Sequence, residues 1–305
     1  MFDRAADVQQ PEMPTLAHLE KFLSAFDLDA LVERIAAEAG DDPADTRGRL
    51  EIYLNETRVA LGIVSNHVRP TARILEVGSG TGVFALFLRS LGYDITALEP
   101  AGLGFDFMDV AREAILDARR DIELPVLRCG IEELEPVTHG TFDLVFSVNV
   151  LEHLPDLGTA LDNIVLLTAD GGYSIHQCPN YTIPFEPHFG VPLLPFVSKD
   201  TAARALPRSV SDSELWRSLN FVTARIISTF AERHRLSVVF RQGLMAETLE
   251  RSRADPVFAE RHSLIAKSAG PILKLLGRPI RSLPPRWATP MVFTLAQLGQ
   301  PLVQP

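Results

Sequence analysis

Cysteine and long apolar runs are both scarce in this chain. Its 305 residues include 2 cysteines, Cys129 and Cys178. Two thiols build neither a disulfide framework nor a cysteine-rich metal cluster, so we expect both to be buried in a reducing compartment. No run of roughly 18 apolar residues occurs, and no membrane-spanning helix is expected. The polar start, Met1 to Arg4, has no apolar stretch behind it, which predicts a cytoplasmic protein without a secretory signal.

Positive charge is scarce overall but concentrated in one segment. The formal net charge is -10, and no basic-aromatic module occurs, so duplex DNA or RNA is not an expected partner. Residues 199–286 nevertheless hold 16 Lys/Arg and 8 Asp/Glu. This excess is compatible with an anionic acceptor or, through the apolar and basic segment 272–287, with contact with an anionic membrane surface. The alternative for segment 272–287 is an amphipathic helix and loop packed on the core. The alternative is that these charges lie on solvated helix faces.

The most informative segment is an apolar run that ends in closely spaced glycines. Ile74 to Val77 are followed by glycine at positions 78, 80 and 82, and then by the amphipathic segment 83–88. This order predicts a strand, a tight turn and a helix, the nucleotide-binding unit of a doubly wound α/β sheet. A second predicted strand, 94–99, ends in Glu99. Its carboxylate can accept hydrogen bonds from both hydroxyls of a ribose.

The spacing of these glycines distinguishes between two kinds of cofactor. The dinucleotide fingerprint G-x-G-x-x-G would need glycine at position 83, which is Val83. The pattern G-x-G-x-G after Glu76, with an acid ending the next strand, resembles the class I S-adenosylmethionine-dependent methyltransferases. Residues 142–154 resemble the fourth-strand motif of that family, and residues 130–134 lie where its third-strand loop reaches adenine. The resemblance implies a Rossmann-like seven-stranded sheet whose last strand is antiparallel.

The same resemblance implies a set of donor-binding residues. The glycines would pass under the methionine portion of S-adenosylmethionine, Glu76 would orient their loop or bind the amino group, and Glu99 would bind the ribose. The family often has an acid where this chain has Gly130, so adenine recognition would rest on Glu132 or on the backbone. The full set is Glu76, Gly78, Ser79, Gly80, Gly82, Glu99, Pro100, Ile131, Glu132, Ser147 and Asn149.

The pattern along the chain predicts a helical flank followed by the sheet domain. Residues 1–14 are polar and interrupted by prolines, so we expect them to be mobile. Residues 15–69 are expected to form a helical cap or flank, and residues 70–305 the methyltransferase domain. Two insertions are expected within that domain: a proline-rich substrate loop over 181–213 and a helical insertion over 244–288.

Two groups of polar side chains are candidates for catalysis. His153, after Glu152, is a candidate general base; the alternative is that Glu152 supports the start of the next helix and His153 packs structurally. In the proline-rich segment 181–192, His188 would take the proton of an acceptor hydroxyl, with Glu186 or Tyr181 orienting it. The alternative for this segment is a stiff lid whose polar groups are satisfied internally.

A single helix is predicted farther on, over 215–234.

The sequence assigns no metal ligand, because its 8 histidines show neither H-x-x-x-H spacing nor a neighbouring C-x-x-C. The predicted function is S-adenosylmethionine-dependent methylation of oxygen on a small-molecule or glycan-type acceptor, anionic or lipid-linked. Segment 181–192 resembles a loop in bacterial methyltransferases associated with glycans. Two alternatives remain: an N- or C-methyltransferase acting on a metabolite such as a quinone precursor, and a non-catalytic scaffold with this fold.

Overall fold

The structure is a computed structural model that describes residues 11–102, 106–194, 198–247, 283–300 and 305. The chain folds into two compact units. We call Met1–Val148 with Asp162–Ser174 the N unit, and Asn149–Leu161 with Ile175–Pro305 the C unit. Residues 1–10 of the expected mobile segment 1–14 lie outside the described residues. Most of the expected helical insertion 244–288 lies outside them as well.

Strands and helices alternate along most of the chain. The helices are α1 (Leu16–Leu23), α2 (Leu28–Ala39), α3 (Pro43–Val64), α4 (Val83–Ser90), α5 (Asp106–Ala118), α6 (Pro136–His139), α7 (Leu157–Leu167), α8 (Lys199–Ala203), α9 (Arg208–Ser211), α10 (Glu214–Ser218) and α11 (Ala224–His234). The strands are β1 (Arg73–Val77), β2 (Asp94–Leu98), β3 (Val126–Leu127), β4 (Phe142–Val148), β5 (Thr168–Cys178), β6 (Phe185–Glu186), β7 (Val191–Pro192), β8 (Leu236–Phe240) and β9 (Met291–Gln297).

Seven strands form the predicted sheet, in the order β3-β2-β1-β4-β5-β9-β8. Strand β1 pairs in parallel with both β2 and β4, and β9 pairs antiparallel with β8. This mixed sheet with an antiparallel final strand confirms the predicted Rossmann-like α/β fold. The strands β6 and β7 form a separate antiparallel hairpin within the proline-rich segment.

The apolar runs of β1 and β4 form the centre of the N unit. Ile74, Leu75, Val145 and Phe146 are fully buried, as expected for parallel strands covered on both faces. Helix α4 packs on this sheet through consecutive buried residues from Val83 to Leu88. The glycine loop that joins β1 to α4 is therefore held between two rigid elements.

Helices α1 to α3 occupy the region where the sequence predicts a helical flank. Each begins at a capping residue whose side-chain oxygen accepts a backbone N–H: Thr15, Asp27 and Asp42, which offsets the unpaired donors of the first turn. The Phe22 ring of α1 lies 5.6 Å from that of Phe87 in α4, and α2 packs against α5. Among the described residues, no helix is both long and apolar enough to cross a bilayer.

The helix predicted over 215–234 is divided in two. Helix α10 ends at Ser218, and α11 begins after Thr223, whose hydroxyl accepts the N–H of Ile226. Between them Phe221 has a φ of 57°, a left-handed conformation that an α-helix does not contain. The apolar periodicity continues across the break, which is why the sequence pattern did not show it. The break brings Asn220 and Phe221 to the candidate site described below.

Candidate functional site

The glycine loop after β1 has the backbone conformation that its sequence predicts. Gly78, Gly80 and Gly82 have φ values of 69°, 54° and 72°, a region that residues with a Cβ rarely adopt. Gly82 is the N-cap of α4 and provides no side-chain cap. The loop therefore presents backbone N–H groups at a helix N-terminus, next to the carboxyl ends of β1 and β2, where ligands bind in this kind of sheet.

Glu99 follows β2 directly and contacts this loop. Its Oε2 accepts the backbone N–H of Gly80 at 2.7 Å, while burial of the side chain raises the pKa of the carboxyl despite that hydrogen bond. Glu99 thus fixes the loop and retains acceptor capacity on its second oxygen, as ribose recognition requires.

Glu76 lies near the carboxyl end of β1 and is buried in the N unit. It accepts the backbone N–H of Ala85, but desolvation, reinforced by the charge of Glu99, raises its pKa well above the ordinary value. Within the described part of the chain, its Oε2 and the Oγ of Ser79 are buried and have no hydrogen-bond partner. Buried polar atoms are normally satisfied, so a cationic amino group fits here, as S-adenosylmethionine provides.

Arg112 is a loop contact that sequence reasoning missed. Its fully buried guanidinium donates to the carbonyl of Gly80 at 3.0 Å and pairs with Asp109 of the same helix, α5. Tyr53 of α3 was also missed. The pKa of its hydroxyl rises to about 12, because the side chain is buried and lies near acidic groups that include Glu99. For Arg112, the only signal in the sequence was its charge on the apolar face of α5.

The other expected donor-binding residues lie along the same unit, with one exception. Ser147 is fully buried near the end of β4, and Pro100 is half-buried after Glu99. Ile131 is buried and Glu132 is exposed within a single 3-10 turn, Ile131–Glu133. Asn149 belongs to the C unit and has a φ of 56°, and its backbone N–H donates to the carbonyl of Gln177. Their roles in binding the methyl donor stay predictions.

The C unit brings all four candidate catalytic residues into one cluster. Glu186 is at its centre: Oε1 accepts from Nδ1 of His188 at 2.6 Å and from the Tyr181 hydroxyl at 3.2 Å, and Oε2 accepts the N–H of Phe189 at 2.8 Å. Burial favours the neutral acid, but the hydrogen bond and charge of His188, with backbone N–H groups, lower the pKa of Glu186 overall. Glu186 is therefore an ionised acceptor held by three donors.

The hydrogen bonds also define which nitrogen of each histidine carries the proton. An ionised Glu186 can only accept, so His188 donates from Nδ1, and Nε2 is the nitrogen at which His188 would release or take up its second proton. The hydroxyl of Ser218 donates to the carbonyl of Leu215 and lies 2.7 Å from Nδ1 of His153. Ser218 Oγ thus accepts from that nitrogen, and Nε2 is the basic nitrogen of His153. Burial, with the nearby His188, lowers the pKa of His153 to about 3, so this ring is neutral.

Glu152 lies opposite both basic nitrogens. Its side chain is fully buried, and its Oε1 is 3.9 Å from Nε2 of His188 and 4.0 Å from Nε2 of His153. The two imidazole rings are 5.0 Å apart between centroids. The sequence does not predict that Glu152 and His188 meet, because they are far apart in the chain.

Two asparagines that the sequence did not single out hold this cluster in place. Asn220 donates through Nδ2 to the carbonyls of Leu151 and Leu154, and its backbone N–H donates to the carbonyl of Glu152. Asn180, which is buried, donates to the carbonyls of Arg286 and Ala288. Tyr181 stacks on Phe221 with ring centroids 4.5 Å apart. The cluster is thus built on a rigid frame rather than on free loops.

Comparisons with known proteins identify the family. The profile of a methyltransferase-domain family matches residues 20–242. An uncharacterized protein of Mycobacterium tuberculosis (strain H37Rv) is 31% identical over 202 residues, which are 63% of this chain and 67% of the relative. A ubiquinone biosynthesis O-methyltransferase of Colwellia psychrerythraea is 24% identical over 223 residues, 70% of this chain and 84% of that protein.

Among solved structures, phosphoethanolamine N-methyltransferase 2 of Haemonchus contortus in complex with S-adenosylmethionine is similar to this chain. It is 16% identical, the match covers 81% of this chain and 53% of that one, and the TM-score is 0.47. The family profile covers more than half of the sequence and includes the glycine loop, Glu99 and the strand β4. The chain therefore belongs to the methyltransferase-domain family and is an S-adenosylmethionine-dependent methyltransferase.

Proposed function

We propose that this enzyme methylates an oxygen atom of a small-molecule or glycan-type acceptor, and that the Glu186 cluster of the C unit deprotonates the acceptor hydroxyl. The observation that carries the proposal is the hydrogen bonding of His188. Its Nδ1–H is fixed on an ionised carboxylate, so the basic Nε2 is oriented for proton transfer. A neutral amine is nucleophilic enough to attack the methyl group without first losing a proton, so an amine acceptor in that form would not need such a base.

The residues of the N unit would hold the methyl donor. Glu99 would accept the ribose hydroxyls, Glu76 would pair with the amino group, and the loop Gly78–Gly82 would contact the methionine portion. When bound, S-adenosylmethionine supplies a methyl group on a sulfonium, whose C–S bond breaks with its electron pair remaining on sulfur. The chain's own contribution is to bind the donor and to activate the acceptor oxygen.

The C unit would supply the acid–base chemistry. His188 would accept the hydroxyl proton at Nε2 while the acceptor oxygen forms its new bond to carbon. Glu186 would stabilise the resulting imidazolium through Nδ1–H, and Tyr181 and Phe189 would keep Glu186 in position. His153 would complete the wall of this site. Because segments 149–154 and 179–192 follow β4 and β5 directly, they begin at the carboxyl ends of strands, where such folds bind ligands.

Two observations bear on the identity of the acceptor. The ubiquinone biosynthesis O-methyltransferase relative is by its name an O-methyltransferase. The basic excess of residues 199–286 favours an anionic acceptor. We propose a cytoplasmic enzyme without a nucleic-acid substrate. Both cysteines are unpaired, which agrees with a reducing compartment.

Isotope transfer tests the proposal. The enzyme would be incubated with S-adenosylmethionine labelled with 13C in the methyl group and with matched panels of hydroxyl and amine acceptors. We expect O-methyl products by NMR, and a loss of about 10²- to 10⁴-fold in kcat for His188→Gln. The matched control, His234→Gln, changes an exposed histidine at the end of α11 and should keep full activity. N-methyl products alone, or full O-methylation by His188→Gln, would overturn the proposal.

A further inference from the structure

Three electron-pair donors of the C unit converge on one point. They are one ring nitrogen each of His153 and His188 and a carboxylate oxygen of Glu152, and these three atoms lie within 4.8 Å of one another. Glu152 is buried, and the two histidines are partly buried. Two imidazoles and one carboxylate are the donor set of many sites for divalent transition metals that keep open positions for a substrate.

The orientation of the two histidines also matches a metal site. A histidine that binds a metal through one nitrogen generally donates the other N–H to a carboxylate, carbonyl or hydroxyl. His188 does so to Glu186 at 2.6 Å, and His153 to the Ser218 hydroxyl at 2.7 Å. Both rings therefore direct Nε2, the nitrogen not held by an orienting partner at Nδ1, toward the carboxylate of Glu152, and a cation bound here would take the place of a proton on Nε2 of His188.

The distances are close to those of a coordination sphere. Metal–ligand bonds of about 2.1 Å in a tetrahedral arrangement place the ligand atoms about 3.4 Å apart. The Nε2 atoms are 3.9 and 4.0 Å from Oε1 of Glu152. To close the site, these two distances would shorten by about half an ångström, and the two histidine nitrogens, which lie within 4.8 Å of each other, would approach as well.

We propose that Glu152, His153 and His188 bind one divalent transition-metal ion, with Ser218 and Glu186 as the residues that orient the two imidazoles. The ligands come from the 3-10 turn Leu151–His153 and from the segment that follows β6. They are 35 residues apart in the chain, so no short motif reveals them. Imidazole ligands favour zinc, copper, iron or nickel over magnesium.

The use of this ion, though not its binding, rests on the proposed function. A cation that binds the acceptor oxygen lowers the pKa of the hydroxyl, whose proton then passes to water. In the metal-bound enzyme Nε2 of His188 is a ligand, and the cation replaces it as the means of generating the oxygen nucleophile. The metal-free enzyme would use His188 directly.

Metal titration of the tag-free full chain tests the proposal. Stripped protein would be titrated with Co²⁺ and Zn²⁺ by calorimetry, and the visible spectrum of the Co²⁺ form would report its coordination. We expect one ion per chain in the parent protein and in the control His234→Gln. Glu152→Gln and His188→Gln, which each lose a ligand, should lose affinity by more than the 10- to 100-fold that removal of an orienting partner costs. Mg²⁺ should not compete.

A second variant separates coordination from folding. Ser218→Ala keeps all three ligands and removes only the acceptor of His153, so we expect about 10- to 100-fold weaker Co²⁺ binding. S-adenosylhomocysteine binding, which uses the N unit, shows that each variant is folded. The absence of Co²⁺ and Zn²⁺ binding in folded parent protein, or equal affinity in parent and all variants, would overturn the site. Metal binding without any O-methyl product would instead overturn the proposed function and leave the metal site standing.

Discussion

The two units treat buried carboxylates in opposite ways. In the N unit, Glu76 and Glu99 have raised pKa values because burial is not matched by enough donors. In the C unit, Glu186 is equally buried, but its pKa is lowered because His188 and backbone N–H groups donate to it. The difference supports the proposal that a cationic ligand pairs with Glu76 in the N unit, whereas Glu186 in the C unit is already paired with its own neighbours.

Removing the central acceptor of the C unit should have the largest effect. In Glu186→Gln, the neutral amide cannot stabilise a positively charged His188, and its NH2 group donates a hydrogen bond where the carboxylate accepts one. We expect kcat to fall by about 10²- to 10⁴-fold, with the affinity for S-adenosylhomocysteine unchanged. Steady-state kinetics and calorimetry would measure the two quantities separately. A matched loss of donor affinity would contradict the division of labour between the units.

The support of the glycine loop in the N unit should come next in size. Arg112→Met introduces an apolar side chain of similar length and leaves Asp109 and the Gly80 carbonyl without their buried partner. We expect a loss of about 3 kcal/mol in the free energy of unfolding and weaker binding of S-adenosylhomocysteine. The control is Arg120→Met, an arginine just beyond α5 whose exposed ion pair should contribute less than about 1 kcal/mol. Equal effects in denaturant titrations would argue against Arg112 as the support of the loop.

Much of this arrangement follows from local sequence patterns. The glycine loop, its strand and Glu99 could be predicted because their signals lie within about one βαβ unit of the sequence. Arg112 could not, because nothing local shows that a charged residue on a helix reaches a loop carbonyl. The convergence of Glu152 with His188 depends on the break at Phe221 and on Asn220, which tie together segments far apart in the chain. Tertiary contacts of this kind have no periodicity.

The opposite pKa shifts predict opposite pH dependence in the two units. A carboxyl whose folded pKa is raised binds more protons in the folded state, so stability is lost as pH rises through the window above its ordinary value near 4.5. Glu76→Gln should therefore stabilise the N unit at neutral pH by about 1–3 kcal/mol while weakening S-adenosylhomocysteine binding. Hydrogen exchange of β1 and β4 amides would measure the stability. A destabilised variant at neutral pH would contradict the assignment of Glu76 to a ligand.

The smallest expected effect is the reverse dependence in the C unit. Burial lowers the pKa of His176 in β5 to about 3, from 6.5. The unfolded chain therefore binds the extra proton first, and stability is lost as pH falls below about 6.5. At pH 5.5 the loss is about 1.4 kcal/mol. Between pH 7.5 and 5.5, His176→Gln should therefore lose less stability than the parent protein by that amount. Hydrogen exchange of the β9 amides would measure this, and His234→Gln should behave as the parent protein.

The most direct test of the account is a calorimetric titration with S-adenosylhomocysteine of the parent protein, Glu99→Ala and Glu186→Gln. The account predicts micromolar binding by the parent protein, loss of binding in Glu99→Ala and undiminished binding in Glu186→Gln. Binding that survives Glu99→Ala, or that is lost in folded Glu186→Gln, would contradict the assignment of the donor to the N unit and of the acid–base cluster to the C unit.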